Sequence, residues 1–159
     1  MLEPDIPVSQ VNRIILPQDL RAEILVHLLQ SAPNEGVGML GVQPPVRTET
    51  GSEVYASLFI PGRNTEYSPV RYTMDPQDVI SAFRRFRENN LVLGAIVHSH
   101  LQGPATPSVS DVDEWNYPES LMMIASLASH PTDVQAWRLV EEQDITRVQR
   151  VQILHTSDS

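Results

Sequence analysis

Residues 91–100, Leu-Val-Leu-Gly-Ala-Ile-Val-His-Ser-His, decide the fold of the chain. The apolar run 91–97 is short and contains β-branched residues, which predicts a buried strand that ends where the histidines begin. Because residues two apart on a strand point to the same side of the sheet, His98 and His100 present two imidazoles to one point while Ser99 turns away. The stretch therefore predicts two ligands of a metal site at the end of a strand.

The residues after the histidines supply a third candidate ligand. Gly103, Pro104 and Pro107 predict a tight loop. Residues 108–111, Ser-Val-Ser-Asp, are typical of the opening of a helix. A loop of this length allows Asp111 to return over the end of the strand, beside the two imidazoles.

The composition limits the cofactors that the chain can hold. Its 159 residues correspond to about one domain. The sequence contains no cysteine, which excludes disulfides, iron–sulfur clusters, thiolate zinc sites and a cysteine nucleophile. Any metal must therefore be held by His, Asp or Glu.

Charge and hydropathy bear on the partners. A net charge of −9 argues against nucleic acid, because neutralising phosphates requires clustered Lys and Arg. The basic cluster of Arg84, Arg85 and Arg87 spreads around a helix and is interpreted as a solvated face. The chain shows no basic N-terminal start and no apolar run of membrane-spanning length. We therefore expect a cytoplasmic protein without a membrane partner.

Hydrophobic periodicity predicts strands and helices around this central strand. The expected segments are strands at 11–16, 35–42, 54–60, 121–127, 134–140 and 146–154, extended backbone at 70–74, and helices at 17–31, 75–89 and 108–116. This order favours an α/β (α+β) fold in which two main helices cover a mostly single, mixed sheet. The segments define one domain at 11–154, with irregular tails at 1–10 and 155–159.

Each main helix carries an apolar stripe that we expect to be buried. The first stripe consists of Leu20, Ile24, Leu25, Leu28 and Leu29, and the second of Val79, Ile80, Phe83 and Phe86. His27 lies beside the first stripe and is interpreted as a histidine at the boundary of the core. His130 and His155 are interpreted as loop histidines.

A glycine-rich segment, 35–42, precedes the central strand in the chain. Gly36, Gly38 and Gly41 match the spacing of a dinucleotide-binding fingerprint. However, a helix precedes them where a strand is needed, and prolines follow where a helix should begin. We therefore interpret the segment as a strand whose glycines let another backbone approach closely, with Glu35 at its start.

Two imidazoles and one carboxylate suit a catalytic zinc that keeps its fourth position for water. Zinc lowers the pKa of that water from about 16 to about 7, and a further carboxylate is needed to carry the proton to a leaving amine. Glu35 is the candidate for this general base. The hydroxyl of Ser108, or its backbone N–H, can stabilise the oxyanion of a tetrahedral intermediate. The pattern therefore indicates hydrolysis of an amide or related acyl bond.

Together these residues resemble the signature of the JAMM (MPN-plus) metalloproteases. Glu35, His98-Ser99-His100, seven intervening residues, Ser108, two further residues and Asp111 agree with that signature in spacing throughout. The resemblance extends over about residues 11–153. It implies the cytidine-deaminase-like fold of the family, a single curved mixed sheet flanked by two main helices. It also implies one zinc ion held by His98, His100 and Asp111, with Glu35 as general base and Ser108 at the oxyanion.

The resemblance implies a substrate class as well. Members of the family cleave isopeptide or peptide bonds at the C-terminus of ubiquitin or ubiquitin-like proteins, and some short prokaryotic members act on sulfur-carrier proteins of that fold. The residue after the second histidine is commonly proline and is Leu101 here, and the long insertions and second zinc site of the eukaryotic deubiquitinases are absent. We therefore expect the compact prokaryotic type. The leaving group can be a lysine side chain, a peptide or a free amino acid such as cysteine, and the polar segment 63–72 is expected to form a wall of the site.

Two alternatives differ in class. One is a small-molecule zinc amidohydrolase, although a nucleobase deaminase is excluded because its zinc site requires cysteines. The other is a scaffold or interaction module that kept the fold and lost the chemistry. The scaffold ranks last because such relatives usually lose a ligand, whereas this chain retains all of them. Bound metal distinguishes it from the enzymes, and the oligomeric state is left open.

Overall fold

The computed structural model describes residues 5–157 as a mixed α/β arrangement of three α helices and eight strands. The helices are α1 (Gln18–Ser31), α2 (Pro76–Glu88) and α3 (Val109–Asp113), and a 3-10 turn at Val8–Gln10 precedes them. The strands are β1 (Arg13–Pro17), β2 (Val37–Val42), β3 (Val46–Thr48), β4 (Gly51–Gly62), β5 (Val92–His100), β6 (Leu121–Ser126), β7 (Asp133–Glu142) and β8 (Ile145–Thr156). None of the helices in this range is long and apolar enough to cross a membrane.

The strands form a ring instead of the open curved sheet that the sequence predicts. Neighbouring strands follow the order β1-β8-β7-β6-β5-β2-β4, and β1 also pairs in parallel with β4 through Arg13, Ile14 and Ile15. β3 adds to β4 outside this ring of seven. The ladders on both sides of β2 shift register next to Gly41, and such bulges bend a sheet. The prediction of an open sheet was wrong because the pattern of 11–16 does not reveal that β1 has partners on both edges.

Alternation along the strands creates two apolar faces, and one main helix covers each. Leu28 of α1 packs in the cluster that contains Val97 of β5, whereas Phe86 of α2 packs in the cluster that contains Ile96. Adjacent residues of a strand face opposite sides of the sheet. His98, two residues beyond Ile96, therefore lies on the α2 side.

Both helical stripes are narrower than predicted. Leu29 of α1 is 58% exposed, and Ile80 and Phe83 of α2 are 58% and 41% exposed. The residues of α2 that are fully buried are Ala82 and Phe86. Because Ala82 is small, α2 lies close to the sheet along the line of Ala82 and Phe86. Ile80 and Phe83 lie beside this line and remain outside the contact with the sheet.

β5 runs further than the sequence predicts. Instead of ending at Val97, it continues through His98, Ser99 and His100, all of which pair with β6. The strand continues because β6 lies alongside and supplies hydrogen-bonding partners for these residues. The histidines therefore belong to the sheet itself, which fixes their backbone more firmly than a loop does.

Several boundaries differ from those expected. Residues 70–74 contribute one bridge, between Asn64 and Met74, instead of a strand. The third helix is shorter than 108–116, and β3 has no predicted counterpart. β3 pairs with the start of β4 in a tight hairpin, with Thr48 opposite Gly51, and the loop 64–74 folds on itself through the bond from the N–H of Thr65 to the carbonyl of Thr73.

The chain ends extend the core beyond the expected domain limits. Val8 is buried, although it lies in the expected tail 1–10, and β8 continues into the tail 155–159. Residues 1–4 and 158–159 of these tails lie outside the described range. The limits 11–154 stay a prediction.

The glycine-rich segment forms β2, and its glycines make room mainly for aromatic rings. A Cβ on Gly38 would lie 2.4 Å from the ring of Phe59, and one on Gly41 would lie 2.6 Å from the ring of Phe86. The expected close approach of a backbone occurs at two of the glycines: a Cβ on Gly38 would lie 2.8 Å from the carbonyl of Ile60, and one on Gly36 would lie 3.1 Å from Cα of Leu28. These glycines therefore serve packing of the sheet, with no helix following them for a phosphate.

Candidate metal centre

β5 brings the two histidines to one point. The Nε2 atoms of His98 and His100 lie 3.3 Å apart. His98 is fully buried and His100 is partly buried. Ser99 is also buried but faces the opposite side of the sheet, as the alternation of a strand requires.

A capping box at the start of α3 places Asp111. The backbone N–H of Asp111 donates to Ser108 Oγ at 3.1 Å, and the backbone N–H of Ser108 donates to Asp111 Oδ2 at 2.9 Å. The same Oδ2 lies 3.2 Å from Nε2 of His98 and 3.0 Å from Nε2 of His100. A pair of residues typical of a helix start therefore also delivers a carboxylate to the imidazoles.

Side chains from β6 and β7 anchor the loop that leads from β5 to α3. The hydroxyl of Ser126 donates to the carbonyl of Gly103 at 2.7 Å. The indole Nε1 of Trp137 donates to the carbonyl of Ala105 at 2.9 Å, and this contact is buried. These two hydrogen bonds thus fix the loop where it returns toward the histidines.

A third carbonyl of this loop sets the tautomer of His100. Nδ1 of His100 lies 2.7 Å from the carbonyl oxygen of Pro104. Because a carbonyl only accepts, Nδ1 carries a proton, so that in the neutral ring the lone pair of Nε2 is left for a metal.

The donor set fits zinc. The three atoms, Nε2 of His98, Nε2 of His100 and Oδ2 of Asp111, are separated by 3.0 to 3.3 Å. Ligands about 2.0–2.1 Å from a tetrahedral zinc lie about 3.3–3.4 Å from one another, so the three atoms come close to forming one face of such a tetrahedron. Nitrogen and oxygen donors without a thiolate are also the usual set of a catalytic zinc site.

The charges in the cluster are arranged around an anionic Asp111. Burial acts to raise the pKa of Asp111, but hydrogen bonds from His100 and His98 outweigh it and hold that pKa well below its usual range. Burial lowers the pKa of His98, which favours the neutral imidazole that metals bind. For His100, burial also favours the neutral ring, but hydrogen bonds to Asp111 and to the Pro104 carbonyl outweigh it and raise the pKa.

Glu35 lies two residues before β2, next to the histidines. It is 3% exposed, and its Oε1 lies 3.9 Å from Nε2 of His98. Burial, followed by the nearby charge of Asp111, raises the pKa of Glu35 to about 8. Oε1 has no hydrogen-bond partner among residues 5–157, so this oxygen is free to exchange a proton.

Hydrogen bonds from two sides hold the backbone at Glu35. Its N–H donates to the carbonyl of Ser68 at 2.8 Å, and its carbonyl accepts from Nδ2 of Asn64 at 2.9 Å. On the other side, the N–H of Gly36 donates to Ser99 Oγ at 2.8 Å, and the carbonyl of Gly36 accepts from the N–H of Ser99 at 3.1 Å. Sequence patterns did not reveal the contributions of Asn64 and Ser99, because their partners are backbone groups far away in the chain.

Tyr72 forms a wall of the site, within the segment 63–72 expected there. Its ring stacks on that of His98, with centroids 4.6 Å apart. Tyr72, Asp111 and Trp115 also line one groove of about 310 Å³. Of the candidate metal ligands, Asp111 lines this groove, so the groove adjoins the site at that residue.

The remaining histidines lie away from this centre. His27 is half-buried, with Nε2 2.9 Å from the carbonyl of Val37, and it occupies the core boundary. His130 and His155 are exposed. Within residues 5–157, the group of His98, His100 and Asp111 is the one set of three ligating side chains close enough to share an ion.

Fold and site together define a class of protein. The sequence profile of the prokaryotic homologs of the JAB domain matches residues 17–140, and the chain belongs to this family. The resemblance to the JAMM (MPN-plus) metalloproteases is confirmed, and the chain is an enzyme of the peptidase type.

Individual relatives carry peptidase names. The probable TtuB-protein conjugate cleaving protease of Thermus thermophilus is 33% identical over 139 residues, which are 85% of this chain and 82% of the relative. The CysO-cysteine peptidase of Mycobacterium tuberculosis is 25% identical over 130 residues, 80% of this chain and 84% of the relative. The desampylase of Pyrococcus furiosus is 30% identical over 89 residues, 56% of this chain and 61% of the relative.

Solved structures share the fold. A solution structure of a protein from Desulfitobacterium hafniense superposes with a TM-score of 0.76 at 27% identity, covering 91% of this chain and 94% of that one. A solution structure of a protein from Salinibacter ruber superposes with a TM-score of 0.65 at 25% identity, covering 89% and 90%.

Proposed function

We propose that the chain is a zinc-dependent peptidase or isopeptidase that hydrolyses the amide bond at the C-terminus of a ubiquitin-like or sulfur-carrier protein. The observation that carries this proposal is the convergence of His98, His100 and Asp111, with 3.0 to 3.3 Å between their donor atoms. The buried carboxyl of Glu35 lies beside them. The names of three relatives support the substrate class.

His98 and His100 would hold one zinc ion through Nε2, and Asp111 would hold it through Oδ2. Bound zinc acts as a Lewis acid and makes hydroxide available from water near neutral pH. The Pro104 carbonyl orients His100, and Tyr72 stacks on His98. Both imidazoles are therefore oriented before a metal binds, which favours affinity.

Glu35 is proposed as the general base. Its carboxylate takes a proton from the attacking water and delivers it to the leaving nitrogen. A pKa raised to about 8 by burial suits a group that must both accept and release a proton near neutral pH. Its backbone is held from two sides, so the carboxyl stays close to the histidines.

Ser108 is proposed to stabilise the oxyanion of the tetrahedral intermediate through its hydroxyl. The backbone N–H, which the sequence left as an alternative, already donates to Asp111 Oδ2. Ser108 Oγ accepts from the N–H of Asp111 and lies 3.2 Å from Ser110 Oγ, where either hydroxyl can donate. When Ser110 is the donor, the hydroxyl hydrogen of Ser108 is available for the oxyanion. The hydroxyl is therefore the better candidate of the two donors.

The tail of the substrate is proposed to lie in the groove beside Asp111. Tyr72 and Trp115 flank this groove of about 310 Å³, and such a space suits an extended chain of small residues. The net charge of −9 supports a protein partner over nucleic acid. We place the reaction in the cytoplasm, with no membrane partner.

The test is incubation of the zinc-loaded protein with ubiquitin-like proteins that carry a lysine isopeptide, a peptide or a cysteine at the C-terminus. Mass spectrometry identifies the products. We expect the wild type to cleave the bond that follows the C-terminal tail in at least one of these substrates. Glu35→Gln should abolish this cleavage, whereas Glu23→Gln, which changes an exposed residue of α1, should retain it. Cleavage of small amides alone would favour a small-molecule amidohydrolase, and a folded protein without metal or turnover would favour a scaffold.

A further inference from the structure

Asn64, just after β4, uses its whole side-chain amide. Nδ2 donates to the carbonyls of Glu35 at 2.9 Å and Arg71 at 2.8 Å. Oδ1 accepts from the backbone N–H groups of Glu66 at 3.0 Å and Thr73 at 3.1 Å. An amide offers two N–H hydrogens and two acceptor lone pairs, so all four positions are in use.

These contacts join the loop 64–74 to Glu35. The loop has little regular structure of its own, since an isolated bridge between Asn64 and Met74 closes it. It also contributes the carbonyl of Ser68, which accepts from the N–H of Glu35. Without Asn64, four backbone groups of this region would lose their partner at once.

Glu35 needs such support because it lies outside the sheet. β2 begins at Val37, which pairs with His98. The backbone of Glu35, two residues earlier, is therefore not held by that ladder. Apart from Ser99, which binds the neighbouring Gly36, the loop 64–74 provides the contacts that locate Glu35.

We propose that Asn64 is a positioning residue for Glu35: it ties the Glu35 carbonyl to the loop 64–74, and so keeps the carboxyl at its distance from the histidines. Asn64 contacts no reacting atom and acts through Glu35. The inference rests on the proposed function, because it takes Glu35 as the general base.

A purely structural role for Asn64 would be to hold the loop together. Thr65 allows the two roles to be separated. Its hydroxyl donates to the carbonyl of Thr73 at 3.2 Å, within the same loop and away from Glu35. Thr65→Val therefore weakens the loop without touching the link to Glu35, and it is the matched control.

The experiment compares Asn64→Asp, Asn64→Ala and Thr65→Val with the wild type. Asn64→Asp keeps the shape and the acceptor oxygen but loses both donors of Nδ2, to the carbonyls of Glu35 and Arg71. The N–H of Glu35 donates to Ser68 in the same loop. We expect its amide hydrogen, followed by NMR in metal-free protein, to exchange at least about tenfold faster, because the bonds from Asn64 no longer hold the loop against Glu35. In zinc-loaded protein, kcat should fall roughly 10- to 100-fold with a smaller change in KM and unchanged zinc content. Thr65→Val should match the wild type in both measurements.

Unchanged exchange at Glu35 in both Asn64 variants would overturn the proposal, as would an equal loss of kcat in Thr65→Val. If the added charge at this partly buried position prevents Asn64→Asp from folding, Asn64→Ala replaces it in the test, since it adds no charge. If the wild type cleaves no tail, the proposed function fails, yet the exchange of the Glu35 amide still shows whether Asn64 holds this backbone.

Discussion

Ser99 Oγ accepts a hydrogen bond of 2.8 Å from the backbone N–H of Gly36. Ser99 lies between His98 and His100 on β5, and Gly36 follows Glu35. One buried contact therefore connects the strand of the imidazoles to the residue next to Glu35, the proposed general base, from the face of the sheet that is turned away from the site.

Ser99→Ala is expected to lower the free energy of unfolding by about 1–3 kcal/mol, because it leaves a buried N–H donor without a partner. Urea unfolding measures the loss. Ser57→Ala, at an exposed position of β4, is the control. Equal unfolding free energies for the two variants would show that Gly36 finds another acceptor.

Glu35→Gln is expected to keep the fold and bind zinc but to lower kcat by about 10²- to 10⁴-fold, as loss of a general base does. Steady-state kinetics on a cleavable ubiquitin-like substrate measures this, with Glu23→Gln as control. If Glu35→Gln turned over the substrate at close to the wild-type rate, Glu35 would not be the general base.

One zinc ion per chain is expected, with His98→Ala and Asp111→Ala losing it and His130→Ala, an exposed loop change, retaining it. Zinc at about 100 times Kd stabilises a protein by about 2.7 kcal/mol, which raises Tm by about 5–10 °C in a domain of this size. Metal analysis and thermal unfolding with and without a chelator check this. A wild-type Tm that changes neither with added zinc nor with chelator would contradict this prediction.

Ser108→Ala is expected to lower kcat by about 10²- to 10³-fold, as loss of an oxyanion donor does, while zinc remains bound. It also removes the cap of α3, which costs about 1 kcal/mol. Ser108→Thr keeps both the hydroxyl and the cap and should recover most of the rate. Loss of zinc in Ser108→Ala would mean instead that Ser108 serves only to place Asp111.

The metal-free protein is expected to gain stability from Glu35 at low pH and to lose that contribution between pH 4.5 and about 8. Burial raises the pKa of Glu35 from its ordinary 4.5 to about 8, so the folded state holds the proton more tightly than the unfolded state does. The stabilisation is complete below the unfolded pKa and disappears as pH rises through the folded pKa. Denaturant unfolding at several pH values across this window should show that the difference in unfolding free energy between wild type and Glu35→Gln falls as pH rises. If that difference in unfolding free energy did not change with pH, the raised pKa of Glu35 would be ruled out.

The ligands could be predicted from sequence because their placement is local. Residues two apart on β5 share a face, and the Ser-x-x-Asp pattern at Ser108 and Asp111 is a capping box that the structure contains. The loop between them is short enough to leave few alternatives. The family signature added Glu35, which lies far from the others in the chain.

The supports of the site could not be predicted, because they depend on distant backbone. Asn64 binds a carbonyl 29 positions away, and Ser99 binds an N–H 63 positions away. Closure of the ring likewise depends on the register between Arg13 and Glu53, 40 positions apart. Apolar periodicity also overestimated the contacts of α2, where Ile80 and Phe83 remain exposed.

β5 has a neighbour on each edge, since it pairs with β2 along residues 92–98 and with β6 along residues 95–100. Under the proposed function, an incoming tail therefore cannot extend the sheet beside the histidines, and the loops near the strand end, 64–74 and 101–107, are the segments left to bind it. Loops accept insertions and exchanges that paired strands do not. Changes in the sequence of these loops can thus give such an enzyme a new partner, while the strand that holds the two histidines stays unchanged.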